Sequence, residues 1–255
     1  MSESVETLGC ELPADGWVWL RHGRGRVRIL PGEGRAVSLT AESPAGLHWQ
    51  MTTDPAGEIR IRSLPDDLAH PPAADCTLTL PAESRLRVYL VDGTLHLENV
   101  TGRARLETVS ADIFLREASG AWHVKTVSGS VEGCALHGGL FMQTVSGNVH
   151  LLACRITNMQ GHMLNGDLML ETPILDGPYT LQTIAGDVVL RLPAETHCDL
   201  DFRTISGRLE IAHSGVYFPR RGTHRQVMLG DGGPQVTVKS LSGSLWVMGN
   251  VDGGR

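Results

Sequence analysis

Asp167 and Asp187 occupy the same position of a repeated sequence pattern. If successive repeats stack as coils, the two carboxylates lie roughly 5 Å apart. Two carboxylates at that separation can bind a calcium ion, or act together as a general acid and a general base. Aspartate is also an ordinary turn residue that hydrogen-bonds the local backbone, and Arg208 one repeat later would offset the negative charge. We therefore expect a structural role and keep a metal or catalytic site as the alternative.

Motifs for other chemistry are absent from the sequence. No GxSxG elbow is present, and the serines recur in every repeat instead of singling one out as a nucleophile. The "GDGG" at 230–233 lacks the lysine of a phosphate-binding loop, and none of the 11 histidines falls in an HExxH arrangement. We assign no catalytic residue and no cofactor, and we expect a protein that is not an enzyme.

Two further features have a structural and a functional interpretation. A column of threonines could form a hydroxyl array for sugars, but β-favouring packing is the preferred interpretation. The basic runs "RHGRGRVR" at 21–28 and "RRGTHR" at 220–225 could bind an anionic polymer, but they contain few aromatic residues, so we interpret them as solvated charge. The threonine column comprises Thr108, Thr126, Thr144, Thr183 and Thr204.

The repeat itself reads "VKTVSGSVEG" at 124–133, "MQTVSGNVHL" at 142–151 and "LQTIAGDVVL" at 181–190. Apolar residues two apart follow each Ser-Gly pair, which predicts a corner followed by a short strand with one buried face. In one repeat we expect Leu140, Met142, Val145, Val149 and Leu151 to be buried. The corner glycines are predicted to need backbone angles that other residues resist; they are Gly129, Gly147, Gly166, Gly186, Gly207 and Gly243.

A weaker nine-residue echo runs inside the first repeats, so that two halves make one unit of 18 residues. We interpret each unit as one coil of a single-stranded parallel β-solenoid, with about 18–21 residues per coil. No coil buries enough apolar surface to fold alone, so the coils must share their faces with neighbours. An antiparallel meander is the rival architecture, because Ser-Gly can also close a hairpin.

The repeat is not visible before residue 90, although strand patterns are. We divide the chain into a flexible N-terminus at 1–15, a β-rich cap or degenerate first coils at 16–90, and a regular solenoid at 91–250. An insertion is expected at about 212–238 before the terminal coil. The Pro-rich stretch at 64–75 is predicted to be a loop.

Composition indicates which partners and which cellular compartment to expect for the protein. The net charge of −6 gives no indication of nucleic-acid binding. The 5 cysteines form no CxxC pair, so we expect reduced, mostly buried thiols. No apolar run has the length of a signal peptide or a membrane span, which predicts a cytoplasmic location without excluding the cell surface.

Several ordered segments resemble the bacterial putative-adhesin family, a β-solenoid domain of unknown function. They include "LTLPAESRLRVYLVDGTLHLENV", the "TVSG" corners, "LRLPAETHCDLDFRTISGRLEI" and the closing "LGDGGPQVTVKSLSGSLWV". The resemblance covers about residues 77–247. It implies a β-solenoid and supplies no catalytic residue to carry over, and members of the family often have a membrane anchor or export signal.

Together these observations predict a non-enzymatic, adhesin-like β-solenoid that serves as a binding or scaffolding module for protein or polysaccharide partners. One alternative is a bactofilin-like scaffold that polymerises end to end, for which open strand edges are the motivation. A polysaccharide-active β-helix enzyme is a further alternative. The sequence does not fix the oligomeric state.

Overall fold

A computed structural model describes residues 4–65, 73–213, 216–217 and 223–249, and within these ranges all regular structure is β-strand. The chain folds into two compact units, Met1–Ser130 and Val131–Arg255. The strands of the first unit are β1 Ser4–Glu11, β2 Trp17–Gly32, β3 Ala36–Ser43, β4 His48–Thr53, β5 Ile59–Leu64, β6 Asp75–Pro81, β7 Glu83–Glu98, β8 Thr101–Thr108, β9 Asp112–Arg116 and β10 Ser119–Thr126.

The first unit has two sheet sides, and each coil contributes one stretch of strand to each side. The long strands β2 and β7 run through both sides, and the register pairs Gly25 with Gly93 between their two halves. On one side the order is β4, β5, β2, β7, β8, β10; on the other it is β1, β3, β6, β2, β7, β9. All pairings are parallel except those of β1, β3 and β4.

Alternation along the strands builds the core of this unit. In β7, Leu86, Val88 and Leu90 are buried, while Arg85 and Arg87, which alternate with them, are exposed. This is the period of two that a strand imposes, with one face packed and the other solvated. The apolar side chains of both sheet sides therefore fill the inside of each coil.

The N-terminal segment differs from its expected flexibility over the part that the structure describes. Ser4–Glu11 forms β1 and pairs with β3 along its whole length. The Glu6 carboxylate accepts a hydrogen bond from the Trp49 N–H at 3.0 Å. Paired backbone and this contact order an acidic stretch that contains few apolar residues.

The second unit contains the regular coils. Val131 pairs with Val149, Val149 with Leu168, and Leu168 with Val188, all in parallel register. Equivalent residues of successive repeats therefore stack, as the repeat predicts. Its strands are β11 Val131–Cys134, β12 His137–Ser146, β13 Val149–Leu152, β14 Arg155–Asn165, β15 Leu168–Glu171, β16 Tyr179–Ala185, β17 Val188–Leu192, β18 Cys198–Thr204, β19 Leu209–His213, β20 Val216–Tyr217, β21 His224–Leu229, β22 Gln235–Ser240 and β23 Leu245–Gly249.

The final coil of the chain, β22 and β23, is not the last in space. β22 pairs in parallel with both β16 and β18, and β23 pairs in parallel with both β17 and β19. The coil of β18 and β19 is thus displaced outward, and the antiparallel strands β20 and β21 lie beside it. The serial order implied by the repeat spacing is therefore wrong at this end.

The antiparallel strands β20 and β21 arise from the insertion expected at about 212–238, of which residues 214–215 and 218–222 lie outside the described residues. The expected loop at 64–75 likewise falls largely on residues 66–72, which are not described.

The structure confirms an all-β, predominantly parallel solenoid, and the antiparallel meander is wrong because the repeats pair in parallel. Within the described ranges no helix is long and apolar enough to cross a bilayer.

All 5 cysteines are free thiols, and Cys76, Cys154 and Cys198 are buried as expected. Burial raises the pKa of the Cys154 and Cys198 thiols to about 11. Cys134 differs from the expectation because it is exposed on the outer face of β11, and Cys10 is only partly buried.

Candidate functional site: a cationic face on the first unit

The two candidate aspartates lie in a ladder of side chain to backbone hydrogen bonds. Asp187 N–H donates to Asp167 Oδ1 at 2.8 Å, and Ser244 N–H donates to Asp187 Oδ1 at 2.8 Å. Asn148 Oδ1 accepts in the same way from Asp167 N–H at 3.0 Å. One oxygen of each aspartate is therefore occupied by the next coil, which explains why Asp, Asn and Ser fill this column. Among the described residues, no three His, Cys, Asp or Glu side chains form a group that could hold a metal ion.

Close approach of neighbouring coils governs the corner glycines. A Cβ on Gly129 would lie 1.9 Å from Ala111 O, and one on Gly243 would lie 1.8 Å from Gly186 O. Neither residue has a positive φ, whereas Gly166 and Gly186 have φ of +123° and +126°. The predicted backbone angle is thus found at some corners, and steric exclusion of Cβ operates at all those named here.

The core side of five corners is filled by threonine instead of the neighbouring aliphatic residue. Thr144 is 2% exposed, whereas Val145 is 41% exposed, so the predicted burial of Val145 is wrong. Strand alternation from Leu140 and Met142 reaches Thr144, and the corner begins after it. Thr126 Oγ1 accepts a hydrogen bond from Gly129 N–H at 3.0 Å. The other threonines of the column are also buried, namely Thr108, Thr183 and Thr204.

A different surface has the composition of a binding site. On one side of the first unit, the outward residues of β5, β2, β7, β8 and β10 stand in rows across the strands. We call three consecutive rows the cationic face; the row before them, Glu83, Thr101 and Ser119, is not part of it. It contains eight arginines and lysines, three large aromatic residues, one histidine and one glutamate; its rows are Trp17, Arg85, Arg103; then Arg60, Trp19, Arg87, Arg105, His123; then Arg62, Arg21, Tyr89, Glu107, Lys125.

The aromatic rings of the cationic face carry guanidinium groups above them. Arg87 lies over the Trp17 ring at 5.4 Å, Arg60 over the Trp19 ring at 5.6 Å, and Arg21 over the Tyr89 ring at 5.8 Å, each measured from Cζ to the ring centroid. These are cation–π distances. Each ring therefore restrains the arginine above it, on a strand scaffold whose backbone is fixed by pairing on both sides.

An open cleft of about 420 Å³ lies in the middle of the cationic face, lined by Trp19, Arg21, Arg87, Tyr89, Arg105 and Glu107. Its only carboxylate is neutralised, because Arg105 Nη2 lies 2.6 Å from Glu107 Oε1. Arg60 is paired at the rim with Asp54 and Glu58 at 3.1 and 2.8 Å. Arg87 forms no ion pair within the described part of the chain, so the centre of the face keeps unbalanced positive charge.

The environment of the cationic face lowers the pKa of its histidine. Partial burial, followed by the positive charges of Arg105 and Lys125, lowers the pKa of His123, while Glu107 opposes the shift. His123 is therefore neutral at physiological pH, and the face is cationic through its arginines and Lys125.

The opposite side of the first unit has balanced charge. Arg24 Nε lies 3.1 Å from Asp92 Oδ2, and Arg28 Nη2 lies 3.8 Å from Glu98 Oε1. The basic run at 21–28 is thus divided, with Arg21 on the cationic face and its other arginines on the opposite side. In the run at 220–225, Arg225 is buried and residues 220–222 are not described.

One buried pair has the residue types of a nucleophile and its base. His22 Nδ1 lies 3.0 Å from Ser63 Oγ, and His22 Nε2 lies 2.8 Å from Ala74 O. The carbonyl can only accept, so Nε2 donates to it and Nδ1 accepts the Ser63 hydroxyl proton. Both residues are buried, and the Trp49 ring lies 4.7 Å from the His22 ring. The pair is structural because substrate cannot reach the serine.

Residues 130–247 match the family described as Toastrack DUF4097, a domain of unknown function. This segment, somewhat less than half of the chain, is similar to a Toastrack domain. The match confirms the resemblance inferred from the repeat, and it extends over the parallel coils of the second unit. It agrees in general terms with a non-enzymatic binding module and identifies no partner.

Solved structures resemble the whole chain only loosely. One is a putative cell adhesion protein from Clostridium sporogenes, with 11% identity and a TM-score of 0.32 over 98% of this chain and 100% of that one. Another is a putative adhesin from Bacteroides fragilis, with 12% identity and a TM-score of 0.47 over 97% of this chain and 98% of that one. No curated protein matches the chain.

Sequence reasoning missed the cationic face because its residues lie on five strands that precede the segment similar to Toastrack domains and are far apart in the chain. A signal was nevertheless present: cationic or aromatic residues alternate with apolar ones in "WVWLR", "IRIR", "RLRVY" and "WHVK". Only the strand order and register show that these alternating segments stand side by side.

Proposed function

We propose that this protein is a non-enzymatic binding module that holds an anionic partner on the cationic face. The observation that carries the proposal is the cross-strand array of eight arginines and lysines with a single glutamate, on a chain whose net charge is −6. Positive charge concentrated against the overall sign attracts anionic partners and sets where they dock.

Rigid presentation supports a binding role. The face is formed by paired strands, and cation–π contacts hold three of its arginines. Because these side chains are restrained before binding, less conformational entropy is lost on association. The carboxylate of Glu107 is paired with Arg105, so the face offers no pair of free carboxylates for acid and base chemistry.

The test is affinity electrophoresis of the full chain through gels that contain polygalacturonate, polyglutamate, single-stranded DNA or a neutral galactan. We expect at least one polyanion to retard the protein. The double variant Arg87→Gln/Arg105→Gln should migrate freely in the same gel. Arg26→Gln/Arg28→Gln is the matched control, since it removes two arginines from the opposite side of the same unit and should be retarded like the parent protein.

Two outcomes contradict the proposal. If no polymer retards the protein, or if the Arg87/Arg105 variant and its control behave alike, the face is not a binding site. Release of reducing ends from polygalacturonate or galactan by the purified protein would show an enzyme instead of a binding module.

A further inference from the structure

The spacing of cations on the cationic face selects among anionic partners, given the binding role proposed above. Adjacent strands are about 4.8 Å apart, so in-register residues recur at that interval across the sheet. Arg85 and Arg103 are such neighbours, and so are Arg87 and Arg105. The interval is close to the length of one sugar residue in an extended polysaccharide. A chain laid across β7 and β8 would therefore meet a cation at each of two successive sugars. Each of the five strands contributes at least one cation, although no single row has a cation on every strand.

The alternative direction, along the strands, has a longer interval. Outward residues along a strand are two positions apart, which is about 6.6 Å. Arg85 and Arg87 along β7 are separated in this way, and so are Arg103 and Arg105 along β8. Neighbouring cations about 4.8 Å apart therefore occur only across the strands.

The aromatic rings act on the ligand through the arginines. Because guanidinium groups lie over Trp17, Trp19 and Tyr89, ring faces are covered and planar donors are presented to solvent in their place. A guanidinium donates two parallel hydrogen bonds to a carboxylate. The rings are thus positioning residues for carboxylate binding.

The same covering disfavours single-stranded nucleic acid. Proteins that bind single strands stack the bases on bare aromatic rings beside a positively charged groove. Here a base would first have to displace an arginine from its ring. The cleft is open to solvent, and an extended chain can lie across Trp19, Arg87 and Arg105 of its lining, which share one row.

We propose that the cationic face binds a linear acidic polysaccharide with one carboxylate on each sugar, laid across β5, β2, β7, β8 and β10. Four strand intervals of about 4.8 Å give a binding length of about 19 Å. Affinity should therefore increase with oligomer length until the ligand spans the five strands, at about five sugars, and then become constant.

The test is calorimetric titration of the full chain with galacturonate oligomers of two to eight sugars. Methyl-esterified oligomers of the same lengths are the ligand control, because esterification removes the charge and keeps the sugar chain. Single-stranded DNA and polyglutamate of similar length are the competing polyanions. We expect binding of the free acids, a plateau near five sugars, and weaker binding by about tenfold or more after esterification.

Protein variants separate direct from positioning roles. Arg87→Gln/Arg105→Gln should weaken binding about tenfold and reduce the dependence of Kd on salt, whereas Arg26→Gln/Arg28→Gln should change neither. Trp17→Leu should weaken binding while leaving the salt dependence intact, because the Arg87 charge remains but is no longer held over a ring. Thermal melts confirm that each variant folds.

The outcomes distinguish this inference from the function on which it rests. DNA or polyglutamate could bind more tightly than the galacturonates and still lose that binding in the Arg87/Arg105 variant. This result would overturn the polysaccharide as the partner and leave the binding role of the cationic face standing. Equal binding of acid and ester oligomers would show that the carboxylates are not recognised. Affinity that increases with length without a plateau would show that the ligand does not lie across the five strands. If the Arg87/Arg105 variant binds every polymer as tightly as the parent protein, both the polysaccharide inference and the proposed binding role are overturned.

Discussion

A carbonyl oxygen of the neighbouring coil lies too close to the corner glycines for a Cβ to be added there. Gly186 combines both possible constraints, since its φ is +126° and a Cβ would lie 2.0 Å from Gly166 O. Gly34 provides the contrast, with a φ of +66° but no atom within 4 Å of an added Cβ. Comparing substitutions at these two residues separates the free-energy cost of the backbone angle from the free-energy cost of the close approach.

Gly186→Ala should lower the free energy of unfolding by more than about 2 kcal/mol, because the coils must separate to admit the methyl group. Gly34→Ala should cost about 1 kcal/mol, the penalty of the left-handed backbone alone. Urea denaturation of both variants measures the difference. Equal losses would mean that backbone angle, and not stacking distance, fixes the corner.

His22 makes stability depend on pH. Burial lowers the pKa of its imidazole, more than the Ala74 and Arg24 carbonyls and the Asp75 carboxylate raise it. The folded protein therefore binds the His22 proton less readily than the unfolded chain does. Between the depressed folded pKa and the unfolded value near 6.5, the unfolded state carries more protons, so stability is lost as pH falls through this window.

We expect the free energy of unfolding to decrease below about pH 6.5 with a slope of up to about 1.4 kcal/mol per pH unit from His22. His22→Gln should reduce that slope, although His96 and His123, whose pKa values are also lowered, retain part of it. His137→Gln, at an exposed position, is the control. An unchanged slope in the His22 variant would contradict the assignment.

At the scale of single residues, the sequence predicted the repeat columns correctly but not the direction of every side chain. A Thr-Val or Thr-Ile pair at five corners offers two residues of strand-forming type, and the apolar one is the natural choice for the core. An inward hydroxyl can hydrogen-bond the corner, as Thr126 and Thr204 do by accepting the N–H of the corner glycine. That partner is visible only when the corner is folded. Thr144 is buried without such a partner among the described residues, so hydrogen bonding accounts for only part of the column.

At the scale of elements, the corner ladder links β13, β15, β17 and β23 through side chains that follow the glycines. Each accepted N–H belongs to a residue of the neighbouring coil, so the ladder supplements the strand pairing. A calcium site at Asp167 and Asp187 remains a prediction, and the two roles make different demands on the carboxylates.

Asp187→Asn retains the oxygen that accepts from Ser244 N–H and should change stability by less than about 0.5 kcal/mol. Asp187→Ala removes the acceptor and should cost about 1–2 kcal/mol. Both are measured by thermal unfolding with and without calcium. An increase in the Tm of the parent protein with calcium, abolished in Asp187→Asn, would establish the metal site in place of the purely structural ladder.

The strands of the cationic face show why elements were easier to predict than surfaces. Alternation within one strand, such as Leu86 to Leu90 in β7, is readable from a few residues. The rows across strands depend on β2 lying between β5 and β7, although β5 follows β2 in the chain. No local pattern contains that order, so the charges could not be assembled from the sequence.

At the scale of the whole molecule, the chain order and the spatial order of coils disagree in both units. In the first unit β2 lies between β5 or β6 and β7; in the second unit β22 and β23 lie between earlier coils. Antiparallel strands, β4 on β5 and β21 on β18, lie beside the displaced coils. The open parallel edges that motivated a polymerising scaffold are therefore covered at these strands.

Deleting residues 235–255 should abolish cooperative unfolding of the second unit. The deletion removes Val236, Val238, Leu245 and Val247 from the core, a loss of roughly 6–12 kcal/mol that is comparable to the stability of a whole domain. In a serial solenoid the same deletion would remove one terminal coil and leave the others folded. Circular dichroism melts decide between these outcomes, with deletion of residues 250–255 as the control.

The position of β22 and β23 also has a consequence for biosynthesis. Domains generally fold as units while the ribosome extends the chain. Here the penultimate coil consists of β18 and β19, and it does not pair with β16 and β17 directly. It can reach its final position only after β22 and β23 have been translated and inserted between these two coils. The second unit therefore cannot be completed by adding coils in the order of synthesis, and a nascent chain stalled before Gln235 would expose unfinished strands to chaperones and proteases.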